Sequence, residues 1–158
     1  AKILCHPSFA NASNIGFYAA FDGEISCTQA ILAAHAQGKQ CCLPKVKNTE
    51  LTFHAYTPEQ ILQANRFGIL EPHENAAEIA MCKLDVVIVP CIALDAQHYR
   101  LGYGGGYYDR SFAFRKEQTK PHPLLLAAVY DFQQCSDLCP KSWDVPCDDA
   151  FVIDSRTL

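Results

Sequence analysis

Two stretches of this chain carry no polar residue across their interior: Val86 to Val89 within DVVIVP, and Leu124 to Val129 within LLLAAVYDF. A strand with one face in water alternates polar and apolar positions, so a short unbroken apolar run marks a strand covered on both faces. The three valines and the isoleucine of the first run favour extended backbone. Such strands require a sheet with a layer packed on each side, and the remaining segments supply the pieces. NIGFYAAF (14–21) reads as a buried strand, and QCCLP (40–44) as a strand closed by Pro44. ELTFHAY (50–56) alternates like a half-exposed strand, and DDAFVIDS (148–155) is a weaker final one. SCTQAILAAHAQGK (26–39) reads as a helix with a Ser26/Gln29 capping box, a face of Ile31, Leu32 and His35, and a stop at Gly38. PEQILQAN (58–65) predicts a short helix with proline in its first turn, ENAAEIAMCKL (74–84) another, and YYDRSFAFRKEQ (107–118) a third. The expected fold is α/β: a single domain over 1–158 with a largely parallel open sheet and helices on both faces. In such sheets ligands gather beyond the carboxyl ends of the strands.

Bulk properties narrow the function. The length of 158 residues, 49% hydrophobic and 19% charged, suits one compact core. A formal charge of −4 gives no expectation of a general nucleic-acid binder. A local anion site can still draw on Lys45, Lys47, Arg66, Arg100, Arg110, Arg115, Lys116 and Lys120. The nine cysteines include no C-x-x-C pair, and the six histidines are scattered. Most of the thiols are therefore expected to be small buried apolar groups in a reducing cytosol, not zinc ligands or disulfides. No run of about 18 apolar residues is present, so no membrane span is expected. The opening AKILCHPSF is too short and too broken by Pro7 for a signal peptide, which leaves a cytoplasmic protein as the expectation.

The chemistry concentrates in YRLGYGGGYYDR (99–110), just beyond DVVIVP. Gly102, Gly104, Gly105 and Gly106 have no Cβ to hold a ligand away, and successive amides there can curl into an anion nest. A helix opening near Tyr107 adds its unpaired N–H groups to that attraction. Arg100 offers a bidentate phosphate contact, and Asp109 is placed to meet a metal ion on phosphate oxygens. Tyr107 and Tyr108 can stack on a flat heterocycle. The pattern is neither G-x-x-x-x-G-K-[ST] nor a good G-x-G-x-x-G. On the residues alone, a flexible turn followed by aromatic packing stays open beside the anion loop.

RLGYGGGYYDR closely resembles the signature of the 5-formyltetrahydrofolate cyclo-ligases, also called methenyltetrahydrofolate synthetases. GFYAAFDGEISCTQAI, GKQCCLPKV, FGILEP, VIVPCIALD, VYDFQ and WDVPCD are similar to further elements of that family, in its order, from about Asn14 onward. The resemblance implies ATP-dependent conversion of 5-formyltetrahydrofolate to 5,10-methenyltetrahydrofolate with release of ADP and phosphate, and Mg²⁺ as cofactor. It also implies an architecture shared with sugar-phosphate isomerases and CoA transferases (NagB/RpiA-like). The chain departs from the family in two places. A Lys/Arg-rich helix that precedes the family's first strand is expected to be missing. Tyr103 and Gly105 occupy signature positions that are often basic in the family, so less charge faces the phosphates.

The implied roles follow residue by residue. Arg100 and Tyr107 are the catalytic pair. Arg100, Leu101, Gly102, Tyr103, Gly104, Gly105, Gly106, Tyr107 and Tyr108 hold ATP, with Tyr108 also turned toward the core. Ala19, Glu24, Tyr103, Gly104, Gly105, Gly106 and Tyr107 border the folate, the Glu24 carboxylate accepting from the pterin's amino and ring N–H groups. Asp109 and Asp144 bind the metal. Without the resemblance, Glu24 reads as a solvated charge ahead of a helix, Ala19 as packing and Asp144 as a turn residue. The partners implied are small molecules, with no nucleic acid and no membrane, and the chain acts as a monomer or weak homo-oligomer. A non-catalytic folate- or nucleotide-binding protein of the same fold is the alternative reading. An isomerase or transferase role rests on fold analogy alone, and a scaffolding role leaves the glycine loop unexplained.

Overall fold

The computed structural model describes residues 2–157. Two short helices, α1 (Lys2–Cys5) and α2 (Pro7–Asn11), precede strand β1 (Asn14–Gly16). Helix α3 (Thr28–Ala36) leads to the hairpin of β2 (Gln40–Lys47) and β3 (Glu50–Tyr56). Three two-residue strands follow: β4 (Gln63–Ala64), β5 (Leu70–Glu71) and β6 (Glu78–Ile79). Then come β7 (Val86–Pro90), the small hairpin of β8 (Ala93–Leu94) and β9 (Arg100–Leu101), helix α4 (Tyr107–Ser111), β10 (Leu124–Tyr130) and β11 (Asp149–Ile153).

Seven strands form the main sheet in the order β11-β10-β7-β1-β2-β3-β6. The β1–β2, β1–β7, β7–β10 and β10–β11 pairs are parallel, and β3 alone runs against the others, antiparallel to both β2 and β6. The two apolar runs sit side by side near the middle. Val86 and Ile88 face the layer that holds Phe9 of α2 and Ala30, Ile31 and Ala34 of α3. Val87 and Val89 face the opposite layer, built around Phe112, Leu125 and Val129. Every one of these positions excludes water, and a fully buried Val or Ile contributes about 2 kcal/mol. Gly16 belongs to this packing: a Cβ there would lie 2.8 Å from the Phe53 ring.

Several expected elements take another form. Helix α3 ends as predicted, with Gly38 at φ +71°. Its start has no capping box, because the Ser26 hydroxyl turns to the Thr28 hydroxyl and N–H. Its buried face is Ala30, Ile31 and Ala34, while Leu32 and His35 stay outside. Strand β2 runs through Pro44 to Lys47. Cys42 gives its carbonyl to the Phe17 amide, so Pro44, two residues on, turns its missing donor toward the flank where β1 has already ended. The helices expected at 58–65 and 74–84 are absent. The first is a turn running into β4, and the second is β6 followed by a 3₁₀ turn at Met81–Lys83. The helix expected over 107–118 is split into α4 and a 3₁₀ segment at Ala113–Glu117.

Between β1 and β7 the winding reverses: the chain steps from β1 to β2 on one side, and from β7 to β10 and β11 on the other. The carboxyl ends of β1, β7 and β10 therefore release three loops toward the same place, a topological switch point.

Candidate active site

Those loops, with β2 and the β4–β5 hairpin, enclose a cleft of about 1220 Å³. Every residue given a catalytic, ligand-binding or metal role by the family resemblance lines it, whereas of the other candidate cations only Arg110 and Lys116 do. Ala19 and Glu24 enter from the loop after β1, residues 100–109 from the β9–α4 connection after β7, and Asp144 from the long loop after β10.

The glycine wall is bare in the required sense. The N–H groups of Gly102, Tyr103, Gly104, Gly105 and Gly106 donate to no other described residue. Gly104 at φ +84° and Gly106 at φ +63° sit in the left-handed region, which turns the loop back on itself before α4. Gly105 and Gly106 also admit close neighbours: a Cβ at the first would strike the Tyr107 ring at 2.8 Å, and at the second the Arg110 guanidinium at 2.7 Å. Helix α4 has only five residues, so the loop amides, not a helix dipole, supply the positive field.

Arg110 fixes this loop. Its Nε donates to the Thr49 carbonyl at 2.6 Å, its Nη2 to the Gly105 carbonyl at 2.6 Å, and its guanidinium lies 5.3 Å from the Tyr107 ring centroid. The sequence reading saw Arg110 only as one of several available cations. Tyr103, more than half exposed, reaches across the cleft to the Asp22 carbonyl at 3.4 Å and links the glycine loop to the loop that carries Glu24.

The Arg100 side chain is 4% exposed and already engaged. Its Nη2 donates to Asp109 Oδ1 at 3.1 Å, its Nη1 donates to the Val145 carbonyl at 2.7 Å, and it stacks 5.5 Å from the centroid of Tyr108. Tyr108 in turn stacks on Phe112, so its ring belongs to the core-facing side of the wall. Asp109 Oδ1 also accepts the Val145 amide at 3.0 Å. Arg100 and Asp109 thus grip both polar groups of one residue, and that residue directly follows Asp144. Asp144 is a turn residue as well: its Oδ2 accepts the Lys141 amide at 2.7 Å. Asp144 is thus a turn residue that also lines the cleft.

Each of the two carboxylates keeps one oxygen outside these bonds, Oδ2 of Asp109 and Oδ1 of Asp144. Among the described residues no group of three or more His, Cys, Asp or Glu side chains is placed to hold a metal ion. Two carboxylate oxygens in a cleft that also holds a loop of unpartnered amides are a donor set that fits Mg²⁺, which takes few protein ligands and completes its shell with other oxygens and water.

On the opposite wall Glu24 Oε2 accepts the Phe21 amide at 2.9 Å. Burial raises its pKa, against the lowering effect of that hydrogen bond and with a smaller push from Asp22. Tyr18, whose hydroxyl donates to the Ile25 carbonyl at 2.6 Å, Phe21 and Phe67 line the same cleft. Sequence reasoning missed the β4–β5 hairpin as a wall. There Asn65 Nδ2 donates to Glu71 Oε1 at 2.7 Å, and the same oxygen accepts the Val46 amide at 2.9 Å. Glu71 stood in FGILEP, but no spacing rule assigned it to the cleft.

Five cysteines, Cys27, Cys41, Cys42, Cys91 and Cys147, are buried and all nine are free. Burial pushes the thiols of Cys27, Cys42 and Cys91 up to about 12, which keeps them neutral and apolar.

A cleft at the switch point of a parallel sheet, walled by loops from several strands, is the mark of an α/β enzyme. The chain belongs to the 5-formyltetrahydrofolate cyclo-ligase family, whose model matches residues 1–153, and is an enzyme of the ligase class. It is 38% identical over 145 residues to a 5-formyltetrahydrofolate cyclo-ligase of Haemophilus influenzae, covering 89% of this chain and 76% of that protein. It is 30% identical over 150 residues to one of Escherichia coli, covering 92% and 80%. Among solved structures it is similar to the 5,10-methenyltetrahydrofolate synthetase of Aquifex aeolicus, with a TM-score of 0.76, 29% identity, and 95% and 73% of the two chains covered. A synthetase from Mycoplasma pneumoniae shares the fold at a TM-score of 0.67 and 21% identity, over 89% and 73% of the chains.

Proposed function

We propose that this cleft converts 5-formyltetrahydrofolate and ATP to 5,10-methenyltetrahydrofolate, ADP and phosphate. The carrying observation is the run of five unpartnered amides, 102–106, on one wall of the cleft and the Glu24 carboxylate on the opposite wall.

The chemical obstacle is an amide. The N5-formyl carbon is a poor electrophile and its oxygen a very poor leaving group. Transfer of the γ-phosphoryl group to that oxygen releases ADP. N10 then adds to the formyl carbon and loses its proton, and phosphate departs with the former formyl oxygen. Catalysis is mainly placement of two ligands and neutralisation of phosphoryl charge.

The amides of Gly102, Gly104, Gly105 and Gly106 cradle the phosphates, with Leu101, Tyr103 and Tyr108 completing the nucleotide wall. Asp109 and Asp144 would hold Mg²⁺ through their remaining oxygens, and the ion would offset the negative charge of the triphosphate. Tyr107 stands between the two ligands and touches both. Arg100 holds Asp109 and the Asp144 loop in place with two of its five N–H donors, and the others remain for phosphate. Glu24 accepts from the pterin's N–H groups, a role suited to a half-buried carboxylate in a cleft that Tyr18, Phe21 and Phe67 also line, and Ala19 leaves room for the ligand.

The test is direct. The purified chain is mixed with ATP, Mg²⁺ and 5-formyltetrahydrofolate, and methenyl absorbance is followed. Absorbance should grow only with all three present. Tight binding of both ligands without any methenyl product would refute the catalytic reading.

A further inference from the structure

Asp144 belongs to no regular element, yet its value to the site depends on where its loop stops. Residues 145–148 are held from two sides. On the cleft side, Arg100 and Asp109 grip Val145. On the far side, Arg115 projects from the 3₁₀ segment that follows α4, with its side chain 3% exposed. Its Nη2 donates to Asp148 Oδ2 at 2.5 Å and its Nη1 to the Pro146 carbonyl at 3.4 Å. Asp148 is itself anchored to the start of β10: its Oδ2 accepts the Leu125 amide at 2.7 Å, and its own amide donates to the Leu125 carbonyl at 2.8 Å. The neighbouring Lys116 Nζ donates to the Ser142 carbonyl, so the same short segment touches the loop on both sides of Asp144.

This arrangement is a poor device for stability alone. Arg115 Nε is buried and has no partner among the described residues. Burial lowers the Arg115 pKa, with the Asp148 charge working against that shift. A buried ion pair of this kind is often no better for stability than apolar side chains of the same volume. What it does supply is a fixed position for Pro146 and Asp148 relative to the segment that carries Asp109.

We propose that Arg115 is a positioning residue for phosphoryl transfer: through Asp148 and Pro146 it sets how closely Asp144 approaches Asp109. The proposal rests on the reading of those two aspartates as the carboxylates that face a metal-bound triphosphate.

The chain's single tryptophan, Trp143, borders the cleft next to Asp144 and reports on this loop by fluorescence, independently of turnover. Arg115→Met and Arg115→Lys are titrated with Mg·ADP against Trp143 fluorescence, beside KM for 5-formyltetrahydrofolate and a thermal melt. Arg115→Met is expected to fold, to need about tenfold more Mg·ADP for half-saturation, and to keep the folate KM within about twofold. Arg115→Lys should fall between it and the parent. A folded Arg115→Met with an unchanged Mg·ADP titration, or with both ligands weakened equally, overturns the proposal. If that variant does not fold, Asp148→Asn makes the same comparison, and failure of both to fold marks the pair as structural and also overturns it. Asp144→Asn run in parallel separates the two layers. No effect on Mg·ADP there sinks the aspartate reading and this proposal with it. An effect there but none in Arg115→Met sinks the positioning role alone.

Discussion

The Arg100 guanidinium donates to the Asp109 carboxylate at 3.1 Å, and the two side chains together hold the carbonyl and amide of Val145. The signature's first charged residue therefore acts as a fastener between two walls of the cleft. This separates two kinds of variant at neighbouring positions.

Arg100→Met should lose both stability and activity. It removes two donors from acceptors that are mostly shielded from water and leaves Asp109 without its cation. Breaking a fully buried pair costs about 3–5 kcal/mol, and the cost here should fall nearer 2–3 kcal/mol because the Asp109 side chain remains 24% exposed. Urea denaturation checks the stability. A variant as stable as the parent, impaired only in ATP affinity, would show that Arg100 serves the ligand and not the scaffold.

Asp109→Asn keeps an oxygen for the Val145 amide but gives up the charge. Turnover should fall by about a hundredfold or more, with the residual rate less dependent on Mg²⁺ concentration. Activity plotted against Mg²⁺ at saturating ATP makes the comparison. Parent-like kinetics would remove Asp109 from the metal assignment.

Much of this framework is legible in the sequence, and the failures have causes. The runs at 86–89 and 124–129 identify β7 and β10 because burial on both faces leaves no other pattern. The stretch from 57 to 84 misleads because local side chains satisfy the backbone in its own way. Gln60 Oε1 accepts the Thr57 amide, and Asn65 Oδ1 accepts those of Phe67 and Ile69, so turns displace the helix that the periodicity suggests. At 78–79 the edge of β3 captures the chain, pairing Glu78 with His54 and Ile79 with Phe53, and overrides helix propensity. Pro7 with His6 capping Ser8 starts a helix that the reading of AKILCHPSF did not include, although proline in a first turn is a recognisable signal. The Arg115–Asp148 pair spans 33 residues with no periodic signal, and only the folded chain brings it together.

Glu24 gives a pH-dependent prediction. Its folded pKa is raised above the ordinary value of 4.5, chiefly by burial. The protonated form is favoured on folding, so its contribution to stability is fully present below pH 4.5 and is lost as pH rises through the folded pKa. Glu24→Gln should therefore melt higher than the parent at pH 7, and the difference should shrink to nothing near pH 4. Folate affinity should fall in the same variant while nucleotide affinity stays. Melts at a series of pH values, beside separate ligand titrations, check both halves. A lower melting temperature at pH 7 would mean that Glu24 has a stabilising partner in the folded state.

Two alanine substitutions in the glycine wall separate folding from binding. Gly104 sits at φ +84° with open space around it, so Gly104→Ala meets no atom but must hold an L side chain in the left-handed region, at about 1–2 kcal/mol. Gly102 has no positive φ, and a Cβ there also meets nothing within 4 Å. Gly102→Ala should leave the melting temperature unchanged, because the folded chain neither needs a bare backbone at that position nor crowds it. Gly102 lines the cleft and its amide has no partner among the described residues, so on the proposed reading the added methyl stands where a phosphate would approach. Mg·ATP affinity should therefore drop by about tenfold or more in a protein of parental stability. Gly104→Ala should lose both. If Gly102→Ala binds Mg·ATP as well as the parent, the amides of this loop do not hold the triphosphate, however open they stand.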